Sequence, residues 1–415
     1  MPRLVPTPRG GGLPRSVGWQ ALAMDLDPVA LPAGFTCHVA NIGIKDDTDD
    51  FVVIAADASC PAAGVFTRSR FAGPSVTISR AHVADGGLRA FAVISKNANV
   101  ANGSGGDRDA GELAAGVAAA LGCSATEVLI ASTGVIGRRY PMELVRGHLA
   151  RLALPFTGTD AVAAARAIMT TDTVPKVASV PVGASVPGGP RVVGIAKGVG
   201  MIEPDMSTLI TLFFTDVAIG ADALDPVFRR VMDRTFNALS IDTDTSTSDT
   251  AAIMASGRAG PVDPAAFEDA LHQAALSLTR QVARDGEGAT TLIEVRVDEA
   301  IDEAQAKRVA KAIVNSPLVK TAVNGADPNW GRVAMAIGKC SDDIDIDQER
   351  VVIRFGAQEV YPQPVDEAGL AALAETMRAD EVLIHVSLAI GHAAFTAFGC
   401  DLSDQYVRIN ADYTT

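Results

Sequence analysis

The run FVVIAAD at residues 51–57 carries six apolar side chains in succession before its first charge, and it reads as a β-strand. Outward from it, LRAFAVIS (88–95) and EVLIAS (127–132) read the same way, while residues 109–121 carry a helical pattern. Strand and helix signals alternate in a mixed α/β rhythm. Further helices are predicted at 160–169, 225–239, 264–284 and 303–315, and further strands near 192–196, 290–297, 351–355 and 382–390. A composition shift at 298–302, just before EAQAKRVAKAIV (303–314), places a domain boundary there. The expected division is a flexible N-terminal tail (1–24), a main domain (25–300) and a smaller C-terminal domain (301–415).

The chain has 415 residues, 48% of them hydrophobic, enough for two or three cores at roughly 150 residues per domain. Its 35 Lys and Arg stand against 49 Asp and Glu, a net charge of −14, which argues against a nucleic-acid partner. No run approaches the roughly 20 apolar residues of a membrane-spanning helix. Five scattered cysteines without CxxC spacing argue against a disulfide framework or a cysteine zinc site and suit a cytoplasmic protein. The six histidines form no HExxH pair, so no metal is expected. The first twenty residues are rich in Pro, Gly and Arg and lack the apolar segment of a secretory signal. Because Met24 opens MDLDPVALPAGF, an alternative start is compatible with the same tail.

Polar segments that follow predicted strands are the places for chemistry, since loops on a rigid sheet carry functional groups. SKNANVANGSGG (95–106) offers Gly103, Gly105 and Gly106 for close backbone approach to a ligand, or is a plain turn. IASTGVIG (130–137) sets Thr133 and Gly134 at a strand end, where they can face a developing oxyanion or simply cap a turn. AIMTTDTVPK (167–176) is dense in hydroxyls, with Pro175 turning Val174 away from helix. In AKGVGMIEPDMSTLITLFFTD (196–216), Lys197 precedes two glycines, and Ser207 and Thr208 open a β-prone run. GVG alone is a poor dinucleotide fingerprint, and GxxxxGK[ST] is absent. IDTDTSTSDT (241–250) fails as an EF-hand at positions six and twelve and reads as a loop of satisfied hydroxyls. RDGEGATT (284–291) isolates Glu287 between glycines, and YVRINADYTT (406–415) reads as a strand running into Asn410.

Taken in order, ASTGVIG, AIMTTDT, AKGVGMIEPDM, DGEGAT, NSPLVKTAV, DPNWGR and the closing YVRINADY resemble the ornithine acetyltransferases, also called glutamate N-acetyltransferases, over about residues 34–415. The stretches 229–250 and 327–351 are most similar to the type found in clavulanic-acid gene clusters. The resemblance implies an αββα-type sandwich with a smaller C-terminal domain. It also implies self-cleavage between Ser207 and Thr208 into an α chain (1–207) and a β chain (208–415) that stay together, and pairing into a heterotetramer or other homo-oligomer of processed protomers.

On the same basis Thr208 is the nucleophile, freed by an N-to-O acyl shift and served by its own new α-amine as general base. Thr133 and Gly134 match the oxyanion pair, and Thr170, Lys197, Glu287, Asn410 and Thr415 match substrate-contacting positions. The implied reaction is ping-pong transfer of acetyl from N2-acetylornithine to glutamate through acetyl-Thr208, with no cofactor. Ser207 departs from the alanine that the family usually places before the nucleophile, which puts the rate of processing at issue. The rival readings are an N-terminal-nucleophile amidase or aminopeptidase that hands the acyl group to water, and an inactive binding protein. Use of acetyl-CoA as donor is a further variant within the family.

Overall fold

The computed structural model describes residues 26–184, 186–203 and 209–412. β1 (Phe35–Ala40) pairs antiparallel with the first half of β2 (Phe51–Phe66), β3 (Gly87–Ile94) pairs on the other side of β2, and β4 (Val128–Ser132) continues parallel to β3. β5 (Lys176–Pro181), β6 (Arg191–Lys197), β7 (Ile210–Val217) and β8 (Thr250–Gly260) complete a spatial order β4-β3-β2-β8-β7-β6-β5. Within β2 the register breaks between Ala55 and Cys60, residues 57–59 are exposed, and beyond them 62–66 pair with β8. β2 thus belongs to two half-sheets.

Those half-sheets face one another. The rings of Phe91 in β3 and Phe214 in β7 lie 5.6 Å apart, although two strands separate β3 from β7 in the hydrogen-bonded order. Contact between them therefore crosses from face to face. Strand periodicity sorts the side chains: Val52, Ile54, Phe91, Val93, Leu212 and Phe214 meet between the half-sheets, while Phe51, Val53, Ala92 and Phe213 point outward. The outward faces are buried as well, under helices. Of α1 (Pro74–Val83), α2 (Gly103–Leu121) and α3 (Met142–Leu149), the last two cover the β1–β4 side through Ala110, Leu113, Val117 and Val145. α4 (Ala161–Ala167) adds small side chains to the inner core. α5 (Ala221–Arg234) and α6 (Pro264–Arg284) cover the β5–β8 side, α6 starting at Asp263, whose side chain accepts from Ala265 N–H. The arrangement is the expected αββα sandwich.

A second sheet combines β9 (Leu292–Ala300), β10 (Val352–Phe355), β11 (Gln358–Tyr361), β12 (Glu381–Ser387) and β13 (Ala393–Cys400) in the order β11-β10-β12-β9-β13. α7 (Glu303–Val314), α8 (Pro317–Asn324), α9 (Trp330–Gly338) and α10 (Glu367–Thr376) accompany it, and one buried cluster runs from α6 into this sheet. β9 pairs with β12 and β13, so it belongs to this sheet although it precedes the composition shift at 298–302. The last described element is α11 (Asp404–Asp412), where a strand was expected, and Gly103, Gly105 and Gly106 open α2 rather than a ligand loop. No helix among the described residues is long and apolar enough to cross a membrane.

His38 of β1 and His148 of α3 lie 3.0 Å apart, Nε2 to Nε2, against Phe51 and Phe156. Burial pulls both imidazoles below their usual range; at His148 the His38 and Arg151 charges add to this and Asp50 opposes it. A pKa lowered by folding contributes stability that is complete above the unfolded value of about 6.5 and is lost as pH falls through the folded value. The unfolding temperature is therefore expected to drop as pH falls from about 7 to about 5. His148→Leu should flatten that dependence, and differential scanning calorimetry of both proteins across the range checks it.

Candidate active site

A cavity of about 820 Å³ opens at one end of the sandwich and gathers Thr133, Gly134, Thr170, Lys197, Glu287 and Asn410 from segments far apart in sequence. Strand direction accounts for the convergence. β3 and β4 run parallel and end at Ile94 and Ser132, while Lys197, at the end of β6, is in register with Ile210, which in turn is in register with Thr250. Ser207, Thr208 and Thr415 lie outside the described residues. The chain resumes at buried Leu209, whose N–H donates to Asp249 Oδ1 at 2.8 Å and whose carbonyl accepts from Thr250 N–H at 2.9 Å.

The turn after β4 is pressed against the one after β3. Thr133 N–H donates to the Ile94 carbonyl and Val135 N–H to the Lys96 carbonyl. Gly134 between them has φ +124°, and a Cβ there would stand 2.3 Å from the Lys96 carbonyl carbon. Only glycine fits. Because the Thr133 N–H is committed, what Thr133 can offer a ligand is its hydroxyl. That Oγ1 accepts from Lys197 Nζ at 3.3 Å, while Gly134 N–H makes no hydrogen bond among the described residues.

Lys197 is 6% exposed. Burial pulls its ammonium below the usual lysine range, opposed by Asp172, whose Oδ2 stands 4.0 Å from Nζ. Asp172 Oδ1 accepts from Gly198 N–H at 2.7 Å and Oδ2 from Thr170 N–H at 3.1 Å, tying the loop after α4 to the end of β6. Burial alone would raise the Asp172 carboxyl, but the ammonium groups of Lys176 and Lys197 outweigh it and hold the group below the usual carboxylate range.

Glu287 is held rather than solvated on its Gly-flanked turn. Its N–H donates to the Val199 carbonyl at 2.8 Å, Oε2 accepts from Asn410 Nδ2 at 2.8 Å, and Thr171 Oγ1 lies 3.5 Å from Oε1. Its carboxylate rests on Gly200, where a Cβ would stand 2.7 Å from Cδ. α11 reaches the cavity through that Asn410 bond and through Ser403 Oγ, which donates to the Gly288 carbonyl at 2.6 Å. In the 241–250 loop, Asp242 accepts the N–H groups of Met201 and Ile202, and Ser246 and Ser248 line the cavity.

Asp172, Lys176, Asp285 and Asp249 were not singled out in the sequence. Asp249 is 2% exposed, and burial pushes its carboxyl well above the usual range, favouring the neutral form beside Leu209. Asp172 and Lys176 stand four apart, which suggests a helical pair, but Pro175 removes that reading and leaves no local signal. A Gly134→Ala substitution is expected to destabilise the protein by about 2–4 kcal/mol through its positive φ and the clash with Lys96, measured by chemical denaturation.

Comparison with known proteins gives the site its context. The ArgJ family model matches residues 36–415. Glutamate N-acetyltransferase Oat2 of Streptomyces clavuligerus is 60% identical over 390 residues, covering 92% of this chain and 98% of the relative. Arginine biosynthesis bifunctional protein ArgJ 2 of Nostoc sp. is 56% identical over 392 residues, covering 94% and 100%. Among solved structures, an arginine biosynthesis bifunctional protein argJ from Bacillus halodurans is 42% identical, with a TM-score of 0.46, and covers 49% of this chain and 98% of that one. By the extent of the family match and by these identities, the chain belongs to the ArgJ family and is an acyltransferase of that family.

Proposed function

We propose that this chain is a self-processing ornithine acetyltransferase, moving the acetyl group of N2-acetylornithine to glutamate through an acetyl-Thr208 intermediate. The observation that carries the reading is the convergence of Thr133, Gly134, Thr170, Lys197, Glu287 and Asn410 on one cavity beside the strand that begins two residues after Thr208. In maturation the Thr208 hydroxyl attacks the Ser207 carbonyl, the peptide nitrogen leaves as the new α-amine, and water hydrolyses the ester. Ser207 is small, and the attacking hydroxyl belongs to Thr208, so cleavage is expected to proceed.

The freed amine takes the Thr208 hydroxyl proton as the oxygen attacks the acetyl carbonyl. The developing oxyanion is met by the Gly134 N–H and by the Thr133 hydroxyl. Because Lys197 donates to Thr133 Oγ1, the hydroxyl's own proton is left to point at the oxyanion. Ornithine leaves with the proton, and glutamate repeats the sequence in reverse on the acyl-enzyme. Lys197, Thr170, Asn410 and Thr415 supply donors for substrate carboxylates, and Glu287 an anion for an amino group. We place the activity in arginine biosynthesis or a clavulanic-acid-type pathway, in the cytoplasm, with processed α and β chains paired into a higher assembly.

Denatured intact mass, before and after incubation with N2-acetylornithine, tests the reading. Two chains are expected, the one beginning at Thr208 gaining a single acetyl group that glutamate removes. Thr208→Ala is expected to remain one chain, with transfer reduced by more than about 10³-fold. An acyl-enzyme that hydrolyses as fast without glutamate as with it would instead establish the amidase reading.

A further inference from the structure

Lys176, the first residue of β5, is 0% exposed and has no part in the mechanism above. Its Nζ donates to Asp172 Oδ1 at 2.7 Å and to Asp285 Oδ2 at 2.6 Å, both carboxylates being buried as well. Each carboxylate also holds backbone of the cavity wall. Asp172 accepts from Thr170 N–H and Gly198 N–H, and Asp285 accepts from the N–H and hydroxyl of Thr173. Asp285 lies two residues before Glu287. One ammonium group therefore fastens together the loop of Thr170, the strand end of Lys197 and the turn of Glu287.

Burying three charges is not an economical way to fill space. Replacing such a cluster by apolar side chains of similar volume is often neutral or stabilising, so its stability contribution does not explain it. What the cluster provides that an apolar plug cannot is fixed direction: hydrogen bonds at 2.6–2.7 Å set the separation of the two carboxylates. Burial works against the Lys176 charge, and the two carboxylates outweigh it and hold the ammonium above its usual range.

We propose that Lys176 is a positioning residue that sets the spacing between the Thr170–Lys197 side of the cavity and the Glu287 side, and so fixes the fit of both amino-acid substrates. The inference rests on the reading that these residues hold substrate. The two sides respond differently to its loss. Asp172 keeps the Thr170 and Gly198 N–H groups and the neighbouring Lys197 ammonium. Among the described residues, Asp285 keeps Thr173 alone as the holder of its loop's carboxylate.

The test is the charge-balanced double variant Lys176→Met/Asp285→Asn, assayed beside wild type for transfer from N2-acetylornithine to glutamate, with circular dichroism and intact mass as folding and processing controls. The expected result is a folded, processed protein whose KM for each substrate rises by about tenfold or more while kcat stays within about threefold, the split that marks lost ground-state and transition-state binding together. A folded double variant with both KM values within about twofold of wild type overturns the proposal. So does a double variant that fails to fold, because the cluster would then hold the domain and not the spacing of the site. Wild-type protein without transfer activity removes the functional reading itself, and with it the basis of this inference, and is distinguished from the other outcomes by that control.

Discussion

Strands buried on both faces leave only their ends for polar chemistry, and that constraint organises this molecule. β2 is the strand that imposes it. Its first half runs away from the cavity, since Phe51 pairs with Ile94 next to the site, and its last residues run back, since Phe66 pairs with Thr250 on the same side. The exposed corner at 57–59 thus joins the half-sheets at the far end, leaving the near end open. Between the half-sheets and beneath the helices nearly every side chain is apolar, so burial at roughly 25 cal/mol per Å² dominates the assembly. The polar side chains of the cavity lie at or beyond the ends of β4, β6 and α6, in the loop after α4 and on α11, where five separated segments meet.

The meeting place is still partly dry, and its charges are arranged accordingly. A buried carboxylate or ammonium is costly unless paired and hydrogen-bonded. Asp172 meets that requirement with two N–H groups and two ammonium neighbours; Asp249, without an ammonium in contact among the described residues, is shifted toward its neutral form instead. Lys197 is left as a buried basic group that touches the Thr133 hydroxyl in the turn after β4.

Much of this was legible in the chain. The continuous apolar runs at 51–57, 88–95 and 127–132 lack period-two alternation because both faces of β2, β3 and β4 are covered. Residues 264–284 read as helix to both ends because Asp263, Pro264 and Arg284 mark the termini. The C-terminal segment did not read correctly. Tyr406, Val407 and Ile409 suggest a strand, yet no sheet edge receives them, and the segment forms α11 with an Asp404–Arg408 pair on its surface. The family resemblance named Thr133, Gly134, Thr170, Lys197, Glu287 and Asn410, and these residues line one cavity. It did not reveal the clamp of Asp172, Lys176 and Asp285, whose members are up to 113 residues apart and become neighbours only when β5 is set against α6.

Polar contacts of the site contribute roughly 1–3 kcal/mol each, less than the buried apolar elements supply, so the segments are brought together by the cores they belong to. Thr133 and Glu287 follow β4 and α6, Lys197 ends β6, and each inherits the rigidity of a buried element. α11 differs, since none of its residues is buried. Among the described residues it is seated by Asn410 to Glu287, by Ser403 to Gly288, by a side-chain hydrogen bond between Tyr406 and Asp242, and by the close approach of Gly288 to Tyr406. None of the apolar clusters includes a residue of α11, so opening the wall that carries Asn410 disturbs none of them. A substrate ammonium held by Glu287 and by Asn410 Oδ1 would add to the bonds that seat α11, so that binding the substrate and ordering this wall draw on the same interactions.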